Sequence, residues 1–196
     1  FDALSGKTTV SGFSYTGNHQ LIQSAVWVGA GRIGLASVIA EDALGEEVFN
    51  MANLSLDMNV EADSSGRTVN IDALYAIEKV TGAGDLDVSD MRLALRFAGL
   101  DIAALNDLVE MNQAGQVSDV PPEDLRAAVY QLAAASPTFE FGPLQTQWQT
   151  ESFSAGLNLA FNGAGLPAYE SFSIADTALW LQIINADTYI DMSDQM

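Results

Sequence analysis

The dominant pattern along this chain is a switch between apolar and polar residues at every second position. In the stretch NLSLDMNVE, Leu54, Leu56, Met58 and Val60 fall on one side and Ser55, Asp57, Asn59 and Glu61 on the other, the period of a half-buried β-strand. Asp63-Ser64-Ser65-Gly66 then supplies turn chemistry, and Val69, Ile71, Ala73, Tyr75 and Ile77 resume the alternation. The two segments predict an antiparallel hairpin. After Gly82-Ala83-Gly84 a third strand sets Met91, Leu93, Leu95 and Phe97 against Arg92 and Arg96, so the run reads as a meander.

The period changes at GLDIAALNDLVEMNQAG. Asp101 is placed as an N-cap, Ile102, Leu105, Leu108 and Val109 recur at helical spacing, and Gly115 closes the segment. In SDVPPEDLRAAVYQLAAASP the prolines suit a helix start, Leu125, Ala128, Val129 and Leu132 form the inward stripe, and Ser136-Pro137 stops it. Helices are therefore expected near residues 101–114 and 122–135. Alternation returns in TFEFGPLQTQWQTESFSAGLNLAF, a second hairpin whose polar side is amide and hydroxyl. At the C-terminal end, Asp176 to Ile184 fits either a short helix or a strand, and Tyr189 to Met192 fits a strand.

Roughly ten short strands joined mostly by hairpins, with helices inserted late, give an α+β pattern and not the βαβ alternation of a parallel sheet. The expected fold is a long twisted antiparallel β-meander sheet with two or three amphipathic helices packed on one face, in a single elongated β-rich domain over 1–196. If the sheet curls, its uncovered apolar face forms a groove, for which Trp27, Leu93, Leu95, Phe97, Trp148, Phe153, Leu157 and Phe161 are the candidate lining residues.

Composition narrows the partners. Seven Lys and Arg against 26 Asp and Glu give a formal charge of -19, which repels phosphate backbones and anionic headgroups, so nucleic-acid binding is not expected. The acidity keeps the chain soluble and fits a salty medium. With no cysteine, disulfides, thiolate catalysis and cysteine-based zinc sites are impossible. The chain opens on FDALSGKTTV without an initiator Met or signal sequence, and reads as a piece of a longer polypeptide.

The stretch AVWVGAGRIGLASVIAED contains Gly29-Ala30-Gly31-Arg32-Ile33-Gly34, the G-x-G-x-x-G spelling of a dinucleotide-binding turn. That turn needs a helix springing from the glycines, and LASVIAEDALG carries Val38 and Ile39 with no apolar stripe. The acid at the right distance, Asp57, sits mid-strand in a segment that turns back by hairpin. The glycines are instead expected to mark bulges or close backbone approach in a strand.

His19 is the only histidine, so multi-histidine metal sites and mechanisms are excluded, and it is expected as a solvated turn residue. Gly12-Phe13-Ser14 misses the nucleophile-elbow spacing because Gly17 falls one place late. Asp176-Thr177-Ala178 and Asp63-Ser64-Ser65-Gly66 only graze aspartyl-protease spelling, and Asp85, Asp87 and Asp90 alternate along a strand instead of following a calcium loop. No catalytic residue, cofactor or metal is assigned.

At RFAGLDIAALNDLVE, LAAASPTFEFGPLQTQWQTESFSAGLNLAF and NADTYIDMSD the chain resembles the YdgA-like family of Gram-negative envelope proteins. The shared phrases fall on Leu100, Asp101, Ala104 and Leu105, on Ser136 and Pro137, and on Ala186, Asp187 and Met192. The resemblance implies a periplasmic protein tethered to the inner membrane by an N-terminal anchor absent from this chain, with no established activity. The resulting expectation is a non-catalytic envelope interaction or scaffold domain. It would meet an envelope protein or itself through strand edges. The alternatives are a carrier holding a lipid or other apolar ligand in the concave face of the sheet and, more remotely, a carboxylate-dependent hydrolase.

Overall fold

The computed structural model describes residues 6–23, 26–113, 122–148 and 151–193. Nine strands form one open antiparallel sheet: β1 (Lys7–Ser11), β2 (Ser14–Ile22), β3 (Val26–Glu41), β4 (Glu47–Ala62), β5 (Thr68–Gly82), β6 (Leu86–Asp101), β7 (Thr138–Trp148), β8 (Glu151–Phe161) and β9 (Ile184–Ser193). From β3 to β9 the spatial order is the sequence order, and β1 and β2 both pair with β3. The helices are α1 (Ile102–Gln113), α2 (Pro122–Ala134) and α3 (Thr177–Ile183). The expected α+β meander is the observed architecture. The strands are fewer and longer than anticipated: β3, β4 and β6 each run 16 residues, because the alternation continues through Gly, Asn and Asp positions that look like breaks in the sequence.

Register turns the alternation into two unlike faces. One row crosses the sheet from Ile33 through Leu56, Tyr75, Leu93 and Leu144 to Ile190, and the next from Gly31 through Met58, Ala73, Leu95 and Phe141 to Leu157. Neither row contains a charge. On the other face the matching row runs from Asn59 through Asp72, Arg96, Glu140 and Asn158 to Asp187. The extra residue of the Gly142-Pro143 bulge in β7 is absorbed between Phe141 and Leu144, so both remain on the apolar side.

The helices cover only one end of that apolar face. Val26, Val69, Leu100 and Ile102 are buried there with Val60, Ile71, Phe97, Leu105, Leu132 and Phe139 packed around them. Asp101 caps α1 by accepting from the Ala104 amide at 3.0 Å, and Ser136, at φ 56, turns the chain out of α2. Edge-to-face rings connect the sheet to a second cluster around Phe172, Leu179 and Ile183: Phe97 to Phe139 at 5.4 Å, Phe139 to Phe161 at 5.5 Å, Phe161 to Trp180 at 6.4 Å, Trp180 to Phe172 at 5.8 Å and Phe172 to Tyr130 at 5.2 Å. Arg126 lies 4.5 Å above the Tyr169 ring and 2.8 Å from Glu123; its hydrogen bonding with Tyr169, then the Glu123 charge, raises its pKa.

The glycine-rich stretch lies wholly inside β3. Gly29 has φ 128 and a β-carbon there would overlap the Asn18 carbonyl of β2, and a β-carbon at Gly31 would sit 3.0 Å from the His19 ring. Close approach of two strands requires these glycines, and no helix follows them. A further irregularity crosses the sheet. Asn53 and Asp90 have φ 52 and 51, and they lie opposite Ala36 and Glu78 at the one row where β3, β4, β5 and β6 all skip a ladder pair. Asn53 donates to the Glu78 carboxylate across that row.

Candidate functional site

Two surfaces stand out, one on each side of the sheet. On the polar face a trough of about 670 Å³ is lined by Arg32, Asp57, Asn59, Asp72, Arg96 and Glu140, with Ala30, Leu74 and Ala94 as its floor. Its size is in the range of small-molecule sites. Arg32 pairs with Asp57 at 3.6 Å and Arg96 with Asp72 at 3.5 Å, all with side chains about half exposed, and Glu140 stands beside Arg96 on the next strand. Exposed pairs of this kind add roughly 0–1 kcal/mol each. They hold the carboxylates against arginines in an open depression, an arrangement that orients charge but excludes no water.

On the apolar face, beyond the reach of α1 and α2, no described residue forms a second layer over the two uncharged rows. Met58 is 43 % exposed, Tyr75 45 %, and Ile190 on the edge strand 71 %. Six of the eight candidate groove residues alternate onto this face as β6 and β8 positions: Leu93, Leu95, Phe97, Phe153, Leu157 and Phe161. They do not line one groove. Phe97 and Phe161 belong to the ring series under the helices, while Leu93, Leu95 and Leu157 occupy the uncovered rows. Trp27 and Trp148 lie at strand ends and are largely exposed. The charged trough was not anticipated. Its signal was the spacing of Asp57, Asp72, Arg96 and Glu140, which gains meaning only once register aligns four strands.

The remaining chemistry resolves into structural roles. His19 is exposed but lies in β2 and not in a turn, stacked on Tyr15 with a 2.8 Å hydrogen bond between Nε2 and the Tyr15 hydroxyl; strand pairing with β3 overrides the turn signal of Gly17-Asn18. Asp176 caps α3, accepting from the Ala178 and Leu179 amides. Asp63 organises the β4–β5 turn, and its bonds from the Ser65 hydroxyl and the Thr68 and Arg67 amides lower its pKa to about 2. Asp85 sits at φ 61 in the turn before β6, Asp87 pairs with Lys79 at 3.3 Å, and Asp90 shares the left-handed conformation of Asn53 in the skipped row. Among the described residues no group of three or more His, Asp and Glu could hold a metal ion, and no helix is long and apolar enough to cross a membrane. Gly115, expected to end the first helix, lies outside the described residues.

Fold and surface together define an open, one-sheet protein with a charged concavity on one side and a partly covered apolar plane on the other. The chain belongs to a bacterial family of unknown function, DUF945, whose sequence model matches residues 2–196. No curated protein and no solved structure matches it.

Proposed function

We propose that this chain is a non-catalytic interaction domain of the bacterial cell envelope, working by the surface its open sheet presents. The observation that carries the reading is the uncovered part of the apolar face. Packed domains place a second layer over every apolar sheet surface, and here α1 and α2 supply that layer over one end only. An exposed apolar surface of this extent marks a binding face. Among the described residues the sheet edges at β1, β2 and β9 carry no further strand and extend it, since each can accept one. The resemblance to the YdgA-like proteins supports a periplasmic setting with a tether to the inner membrane. Asp57 and Asp72, two acids of the trough, are each engaged by an arginine in open solvent, which favours a binding role over a catalytic one.

Site-specific photo-crosslinking in the living bacterium tests the reading. A crosslinker replacing Tyr75 or Leu144 should give a discrete protein adduct, while one replacing Ala76, on the opposite face, should not. Lipid adducts at Tyr75 would favour the carrier instead, and equal labelling of both faces would overturn the interaction reading. Accessibility of the chain to protease in spheroplasts, and not in intact cells, is the expected sign of a periplasmic location.

A further inference from the structure

Resting on that reading, we infer that the occupant of the uncovered face is a second copy of this chain, packed sheet on sheet about a two-fold axis that runs across the strands. The row from Ile33 to Ile190 and the row from Gly31 to Leu157 hold no charge, and the row beyond them, with Leu54, Ile77, Met91 and Phe153, holds none either. A surface without charged groups brings no like charges together when it meets its own copy, so an isologous contact across this face carries no electrostatic penalty at the interface.

Seven strands spaced about 4.8 Å apart and three same-face rows about 7 Å apart make a plane of roughly 600 Å². Two such planes give about 1,200 Å² of buried surface, the lower end of a standard stable interface.

The helices fix the symmetry by steric exclusion. α1 and α2 stand above the apolar plane at the end marked by Val60, Ile71, Phe97 and Phe139, and packed sheets lie about 10 Å apart. An axis parallel to the strands would bring the two helix pairs into collision at the same end. An axis across the strands puts them at opposite ends, each filling the step left by the other copy. On that axis the central row faces itself, Leu93 over Leu93 and Tyr75 over Tyr75, and Leu95 faces Met91. The charge of -19 gives long-range repulsion between copies, but the interface carries none of it. Added salt should therefore tighten the dimer, the reverse of its effect on an ion-pair interface.

The test uses the purified chain, its natural lack of cysteine and sedimentation equilibrium. The wild type should be a dimer that tightens at least several-fold between low and high salt. Leu93→Glu should be monomeric with an unchanged circular dichroism spectrum, and Asp72→Lys, on the far face, should remain dimeric. Leu93→Cys copies should be joined by a short bifunctional maleimide, and Asp72→Cys copies should not. A monomeric wild type whose Tyr75 crosslinks to a different protein in cells would overturn this inference and leave the interaction reading standing. A monomer whose Leu93→Glu variant loses no crosslink would overturn both. A dimer that survives Leu93→Glu would place the contact at a strand edge and overturn the face-to-face packing.

Discussion

Asp101 Oδ1 accepts a 2.9 Å hydrogen bond from the Gln131 side chain, tying the start of α1 to the last turn of α2 across 30 residues. The same oxygen accepts the Ala104 amide at 3.0 Å, so one buried carboxylate caps a helix and fixes the helix pair on the sheet. Asp101→Ala removes the cap and strands the Gln131 amide, and should cost about 2–3 kcal/mol in urea unfolding. Asp101→Asn keeps an acceptor oxygen and should cost less. Equal effects would mean that charge, and not the hydrogen bonds, is what matters there.

Phe172 is 2 % exposed at the centre of the second cluster, whereas Leu181, on the other side of α3, is 79 % exposed. Phe172→Ala should lower stability by about 3–5 kcal/mol, and Leu181→Ala by no more than about 0.5 kcal/mol. A thermal melt of the two variants separates a packed cap from one that merely rests on the sheet.

Gly29→Ala should be poorly tolerated. Its φ of 128 and the Asn18 carbonyl leave no room for a β-carbon, so strain and displacement of β2 together should exceed about 2 kcal/mol. Gly45→Ala, also at positive φ but in open space, should cost about 1 kcal/mol. Nicotinamide and flavin cofactors should leave the melting temperature of the wild type unchanged.

Asp63 provides a pH signature. Its folded pKa of about 2 lies below the ordinary carboxylate value of 3.8, so the folded state favours the ionised form. The stabilisation is complete above the unfolded pKa and is lost as pH falls from about 4 through 2. Carbon NMR titration of the Asp63 carboxyl should find this midpoint. In Ser65→Ala the midpoint should rise, since the Ser65 hydroxyl is the largest contributor.

Arg96→Ala leaves Asp72 without its partner and Glu140 beside it, yet the pair is half exposed. The loss should stay below about 1 kcal/mol and shrink with salt. A larger loss would mean that the trough is organised by more than surface electrostatics.

What could be read from the sequence was local. Alternation in Leu54 to Val60 and the Asp63 to Gly66 turn gave the first hairpin, and the stripe around Leu105 and Leu132 gave the helices, because each signal lies within one element. The long strands were harder to see, since the alternation slips at Asn53 and Asp90, and only the neighbouring strands show that irregularity carried through in register. The ring series from Phe97 to Tyr130 joins residues from β6, β7, β8, α2 and the segment around α3, which no periodicity brings together. Sequence spacing likewise placed Leu93 and Phe97 in one groove, and only the positions of the helices separate the open residue from the covered one.

Because each strand from β3 onward leans on the one made just before it, the architecture behaves like a folding screen to which panels are added in order. A hairpin gained or lost beyond β9 would leave the earlier panels hinged as they were. Length could vary among relatives of this chain by whole pairs of strands, without any change to the cap that Asp101 holds in place.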